Sequence, residues 1–226
     1  MSGLMSTLPR IAVATALALG LAACSNDPDF ESPVNIVGNV YDSLFSEDSG
    51  PSPVTQEAIV ATLSATPLPV VFVNLEDRSS QSLFTRIESN QGYDTFASLS
   101  RQSIIMRNGK ITGTRGIGGD LMSSEVGPLM QAVTSGATTE VTLVQRFLTP
   151  EFITRTITYR CGIEPDGVAQ ISMGLLRGTG REMIAACESP DGPPFVDYYV
   201  VAGDRIVASR QWVGEANGYL ATHLLR

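Results

Sequence analysis

From Thr139 to the C-terminus the chain alternates between apolar and polar positions with a period of two. Between Phe152 and Cys161, residues Ile153, Ile157, Tyr159 and Cys161 fall on one side, and Thr154, Thr156 and Thr158 on the other. That period belongs to a half-buried strand, because successive side chains of extended backbone point to opposite faces. Thr139–Leu148, Val168–Leu176, Arg181–Glu188 (Met183, Ala185 and Cys187 inward), Val196–Val201 and Arg205–Val213 read the same way. Pro165-Asp166-Gly167 and Gly203-Asp204 are the turns between them. Nearer the front, Val70–Leu75 is a short apolar run that suits a strand covered on both faces. Ser82–Ile87 follows, then Tyr93–Leu99 with Tyr93, Thr95, Ala97 and Leu99 inward. Asn108-Gly109, between Ile104-Ile105-Met106 and Ile111, predicts a two-residue hairpin. Helical spacing occurs twice. Thr55 caps a helix through Ser64 with Ile59, Val60 and Leu63 on one side, stopped by Pro67 and Pro69. A second helix runs from about Ser124 to Thr134 with Val126, Leu129, Met130 and Val133. The pattern predicts a mainly β fold, an antiparallel sandwich or barrel-like body with one or two accessory helices.

The first 53 residues are different in kind. Met1–Arg10 carries a single charge, Arg10, and Ile11–Leu21 is an uncharged apolar run broken only by Thr15. Such a run is too short to span a membrane as a helix and reads as a secretory signal. It ends in Leu21-Ala22-Ala23-Cys24, a bacterial lipobox. Cleavage before Cys24 leaves a cysteine whose thiol takes a diacylglycerol and whose amine takes a third acyl chain, an attachment that is effectively permanent. The expected division is 1–23 signal peptide, 24–53 lipidated tether and 54–226 a single mainly β domain. Pro28, Pro33, Pro51 and Pro53 mark the tether as a spacer. Val37, Val40, Tyr41, Leu44 and Phe45 within it have the spacing of a short amphipathic helix or docking segment.

Charge sharpens this division. The net charge of −8 is carried ahead of residue 78: residues 25–77 hold nine acids and no Lys or Arg, while 78–226 hold fourteen of each sign. No basic stripe suggests nucleic acid. Six bases between Arg78 and Arg115, including the only lysine, Lys110, predict one locally basic sheet edge. With Cys24 acylated, Cys161 and Cys187 remain, and an exported chain with two cysteines is expected to join them. Both fall at inward ends of neighbouring strand candidates. With His223 as the sole histidine, no zinc site is expected.

Candidate chemistry is sparse. Gly113–Gly119 lacks the Gly-Lys-Ser/Thr ending of a phosphate loop and reads as a tight turn between a strand and a helix. No Gly-x-Ser-x-Gly elbow presents a serine to His223, and a carboxylate pair such as Asp120 and Glu125 means little among 23 acids. No catalytic residues, metal or cofactor are therefore expected. Two groups suit a ligand or partner surface: Arg115 with Asp120 beside the glycines, and Arg210 with Trp212, near Asn217 and Tyr219. A tryptophan face beside planar hydrogen-bonding groups suits sugars. The plainer reading is a tryptophan packed in the core or at its rim where the last strand closes the sheet.

Taken together, the lipobox at Cys24, Thr114-Arg115-Gly116-Ile117-Gly118-Gly119-Asp120-Leu121, Tyr159-Arg160-Cys161, Cys187 and Ser209-Arg210-Gln211-Trp212-Val213-Gly214 resemble the YjbF/GfcB family of lipoproteins. The resemblance runs from about Thr55 onward. It implies a non-enzymatic, mainly β lipoprotein of the Gram-negative outer membrane, lipid-anchored with its body in the periplasm and associated with group 4 capsule and exopolysaccharide production. The expected function is to assist assembly or export of a surface polysaccharide by binding glycan or an export protein. The alternatives are a periplasmic polysaccharide-modifying hydrolase and an envelope structural protein that docks another subunit.

Overall fold

The computed structural model describes residues 53–226. Cys24, the signal, the 34–45 segment and nearly all of the tether lie outside the described residues.

Helix α1 (Gln56–Ala65) starts where Thr55 Oγ1 accepts from the Ala58 N–H at 3.2 Å, satisfying one of the free donors of the first turn. Ile59 and Leu63 bury against Val70 and Leu225, whereas Val60 faces solvent. Arg226 closes the other end by donating to the carbonyls of Leu63 and Thr66.

Twelve strands follow: β1 (Val70–Leu75), β2 (Ser80–Asn90), β3 (Tyr93–Ala97), β4 (Ser103–Arg107), β5 (Lys110–Arg115), β6 (Leu121–Glu125), β7 (Thr139–Leu148), β8 (Thr154–Met173), β9 (Leu176–Ser189), β10 (Gly192–Ala202), β11 (Arg205–Trp212) and β12 (Tyr219–Leu224). A 3-10 turn, Glu76–Arg78, joins β1 to β2, and α2 (Gly127–Ser135) follows β6. All strands belong to one antiparallel sheet, ordered β5-β4-β3-β2-β1-β12-β11-β10-β9-β8-β7-β6. Its two edges, β5 and β6, come side by side, so the sheet curls into a nearly closed barrel. Every pairing joins neighbours in sequence except β1 with β12, where Phe72 lies opposite His223.

Two apolar clusters fill the interior. One surrounds Leu129 and Val133 of α2 and takes in Leu143, Tyr159, Met183, Phe195 and Trp212. The other gathers Val73, Phe84, Phe96, Ile104, Ile111, Leu121 and Leu220. Buried polar groups lie among them. Lys110 Nζ, 1% exposed, donates to Asp197 Oδ2 at 2.9 Å, and Asp197 is fully buried. That carboxylate also accepts from Tyr199 OH (2.8 Å) and from the Trp212 N–H (2.7 Å). Gln211 donates to Gly109 O and Ser209 Oγ and accepts from the Ile111 N–H, tying the β4–β5 hairpin to β11. Lys110 therefore adds nothing to a basic surface edge. Its charge is neutralised inside the barrel.

The structure corrects the sequence reading at several places. Ser124 is in strand β6, which pairs with β7, so the helix starts at Gly127, with Pro128 in its first turn. The glycine segment consequently joins two strands rather than a strand and a helix. On β3 it is Phe96 that faces the core, while Tyr93 is exposed, as is Leu99 in the loop beyond the strand. Pro165-Asp166-Gly167 is no turn: β8 runs through it for 20 residues, and the extra residue is absorbed as a bulge against β9. Ile153 lies before β8, exposed. The Asn108-Gly109 hairpin forms, both residues at positive φ (47° and 88°). Cys161 and Cys187 are disulfide-bonded, directly opposite each other on β8 and β9.

Candidate functional site

Arg115 and Asp120 meet at the seam between β5 and β6. Asp120 accepts from Thr114 Oγ1 (3.2 Å) and from the N–H groups of Gly116 (3.0 Å) and Ile117 (3.3 Å), folding the glycine segment around its carboxylate. The Arg115 guanidinium reaches across the seam to Leu121 O (3.1 Å) and Met122 O (3.2 Å). In place of a ladder, these side chains hold the two edges together. Asn217 donates to Gly118 O and Gly119 O, and Arg78 donates to Ile117 O (2.7 Å) and Asn217 Oδ1 (2.9 Å). Gly119, at φ +58°, lets this loop touch the 213–218 loop, since a Cβ there would sit 2.3 Å from the Ala216 Cβ. The loop is a structural junction of three connections.

Trp212 offers no face to a ligand. It is 7% exposed, stacked on Phe195 with centroids 4.9 Å apart, and met edge-on by Phe147 and Tyr159. The sugar kit expected around it is engaged elsewhere: Asn217 holds the glycine loop, and Tyr219 lies under Arg210, 3.5 Å from ring centroid to guanidinium carbon. Arg210 is held by Glu76, its Nε at 3.0 and 2.9 Å from the two carboxylate oxygens and a terminal nitrogen at 2.8 Å.

Arg210 nevertheless borders a cleft that sequence reasoning missed. Tyr198, opposite Arg210 in the β10–β11 register, is 45% exposed on the outer face of the sheet. Below it Ala208 and Ala221 keep the floor low. Asp166 on the β8 bulge and Glu182 on β9 stand at one side, and among the described residues neither carboxylate has an ion-pair partner. Gly167 gives Glu182 its room, since a Cβ there would lie 2.8 Å from Oε2. The distal half of the β8–β9 hairpin arches over the same face and docks its tip through Leu175 N–H to Leu225 O (2.8 Å). Two hollows of about 210 and 310 Å³ share Val200, Ala208 and His223, giving an elongated cleft between arm and sheet. Burial pushes the His223 pKa below its usual range, so the ring is neutral near pH 7 and offers one donor and one acceptor. An apolar ring face, acceptor carboxylates and a neutral imidazole suit a hydroxyl-rich ligand. The signal available in the sequence was Tyr198, an outward position on a strand whose other face is buried.

The family model of the group 4 capsule polysaccharide lipoprotein gfcB, YjbF, matches residues 45–225. No curated protein matches the chain. Among solved structures, the hypothetical lipoprotein YmcC from Escherichia coli (K12) is similar, with a TM-score of 0.65 and 12% identity over 88% of this chain and 97% of that one. That likeness concerns the fold alone. With the match spanning most of its length, the chain belongs to the YjbF family of capsule-associated lipoproteins.

Proposed function

We propose that this lipoprotein assists assembly or export of a surface polysaccharide by holding a stretch of glycan in the cleft beneath the β8–β9 arm. It works without chemistry, from the periplasmic face of the outer membrane, tethered there through acylated Cys24. The family supplies the capsule context. The observation that carries the reading is the elongated cleft, open along the sheet, with Tyr198 and the carboxylates of Asp166 and Glu182 facing it. A polymer needs a groove rather than a closed pocket, and sugar rings lie flat on a half-exposed aromatic ring while their hydroxyls donate to carboxylates. The unpaired acids favour neutral or amino-bearing glycan over a uronic-acid polymer.

Retention of the purified protein on the producing strain's immobilised polysaccharide tests this. Tyr198→Ala is expected to weaken binding about tenfold, equivalent to roughly 1.4 kcal/mol, and Glu182→Gln by less. Unchanged retention in both variants refutes glycan binding at the cleft. Trp212 emission is the wrong reporter, because the ring is buried in the core. Docking of an export protein on the same face is the second reading. A photo-crosslinker at position 198 that captures a protein and no glycan in intact cells favours it.

A further inference from the structure

Two loops at one end of the barrel repeat an unusual turn. In the β3–β4 loop, Arg101 N–H donates to Ser98 O (3.1 Å) and Ser98 N–H to Gln102 O (2.9 Å), with Arg101 at φ +60°. In the β7–β8 loop, Phe152 N–H donates to Thr149 O (2.9 Å) and Thr149 N–H to Ile153 O (2.9 Å), with Phe152 also at φ +60°. This three-residue hairpin loop, a tight turn closed by a bulge, ordinarily places glycine at its left-handed position. For a bulky side chain that conformation is a genuine outlier, and such outliers mark positions selected for something other than stability.

The side chains these turns carry point outward. Leu99 is fully exposed, Phe152 is 84% exposed and Ile153 is exposed beside it. The turns flank the glycine loop, which touches the first through Gly116 beside Arg101 O and lies next to the second through Leu148 N–H to Asp120 O. Among these exposed apolar residues Phe152 alone is itself left-handed, while Leu99 and Ile153 share a turn with a left-handed residue; Ile87, Val168 and Leu175 lie beside no left-handed residue other than glycine. The chain also enters the barrel at this end: Val54 N–H donates to Gln81 Oε1, and Gln81 is one residue from the first of β2 after the β1–β2 turn.

We infer that this rim is a lipid-contacting surface, on which Leu99, Phe152 and Ile153 dip into the membrane interface and Arg101 meets phosphate. The rim is where the tether arrives. Large apolar side chains at loop tips bury in the headgroup–acyl boundary, and an arginine beside them keeps its guanidinium at phosphate level. Glu151, between Pro150 and Phe152, and Glu215 nearby keep the rim from being a polybasic patch. Adhesion therefore comes from apolar insertion and resists salt. The 29 residues between Cys24 and Val54 could span at most about 100 Å, a reach that leaves an anchor at Cys24 free of any need to hold the body at the surface. The rim holds it there.

The test uses the acylated full chain in phosphatidylethanolamine–phosphatidylglycerol vesicles with or without brominated acyl chains. Phe152→Trp and Leu99→Trp each add an emission that brominated lipid quenches and that high salt leaves quenched. Val168→Trp, on the arm, and buried Trp212 are not quenched. If the two rim tryptophans escape quenching as Val168→Trp does, the rim does not touch lipid and the inference fails, leaving a protein partner as the occupant. If salt releases the quenching, the attraction is electrostatic and apolar insertion fails. As a separate readout, Phe152→Gly melts about 2–4 °C higher than the wild type. A variant that melts lower shows that Phe152 serves the fold, and overturns the strain argument.

Discussion

Asp197 is the position where one substitution reaches furthest into this fold. Its carboxylate accepts from the Lys110 ammonium at 2.9 Å, the Tyr199 hydroxyl at 2.8 Å and the Trp212 N–H at 2.7 Å, with the side chains of Asp197 and Lys110 shut off from solvent. Replacing Asp197 with Ala leaves a buried ammonium without a counter-charge, and breaking such a pair costs about 3–5 kcal/mol. The two orphaned donors push the loss toward the upper end, since each buried unsatisfied group costs about 1–3 kcal/mol. Lys110→Met removes the charge but keeps the apolar stem and leaves the carboxylate two donors, so its loss is smaller, about 3 kcal/mol. The double variant is not the sum, because once the ammonium is gone the missing carboxylate strands fewer groups. A coupling of about 2 kcal/mol is expected. Urea unfolding at pH 7, followed by Trp212 emission, measures all three, since Trp212 packs in the same core. If Asp197→Ala costs less than about 1 kcal/mol, or the two losses add within about 0.5 kcal/mol, water reaches this pair and the reasoning is wrong.

Three further outcomes are expected. Reducing the Cys161–Cys187 bridge, which spans 26 residues, lowers stability by about 3.5 kcal/mol in the chain-entropy account, read as a drop in the urea midpoint with and without reductant. His223 is held neutral by burial, below its ordinary 6.5; the unfolded chain then binds the proton more readily, so stability falls as pH drops below about 6.5. His223→Gln flattens that part of a melting-temperature profile, and an unchanged slope rules His223 out. Gly119→Ala drives a methyl into Ala216 at a left-handed position and destabilises by about 2–4 kcal/mol; a melting temperature within error of the wild type shows that the two loops separate freely.

Where local pattern and tertiary burial agree, the fold was legible in the sequence. Ile157, Tyr159 and Cys161 alternate because β8 has one buried face there, and Cys187 faces Cys161 because β9 is in register with it. Asn108-Gly109 announces its hairpin because few residues tolerate two consecutive positive φ angles. Other segments were illegible because their local chemistry points one way and pairing the other. Pro165-Asp166-Gly167 has turn composition, yet β9 continues alongside and turns it into a bulge. Ser123-Ser124-Glu125 looks like the approach to a helix, but β7 would otherwise be an uncovered edge. Lys110 reads as surface charge because nothing nearby in sequence marks Asp197, 87 residues on, as its partner. Of the ligand residues chosen from the sequence, Arg210 alone borders the cleft. The cleft draws its walls from β8 to β12, so no single stretch encodes it, and a lone tryptophan attracts attention that its burial does not justify.

The strand order also has a consequence for the order in which the barrel closes. Every pairing in this sheet is made by strands adjacent in the chain except β1 with β12. Hairpins of that kind form locally and quickly, whereas a pairing across some 150 residues must wait for both partners. The zipper is therefore fastened by a single long-range stitch, Val71–Leu75 to Leu220–Leu224, and that stitch needs residues near 220 to have been synthesised. A chain that emerges front end first can form its hairpins in turn, but the β1–β12 pairing and the side-chain ties that reach across the fold, such as Arg210 to Glu76 and Arg78 to Asn217, wait for the last strands. The barrel wall closes only when β12 reaches β1.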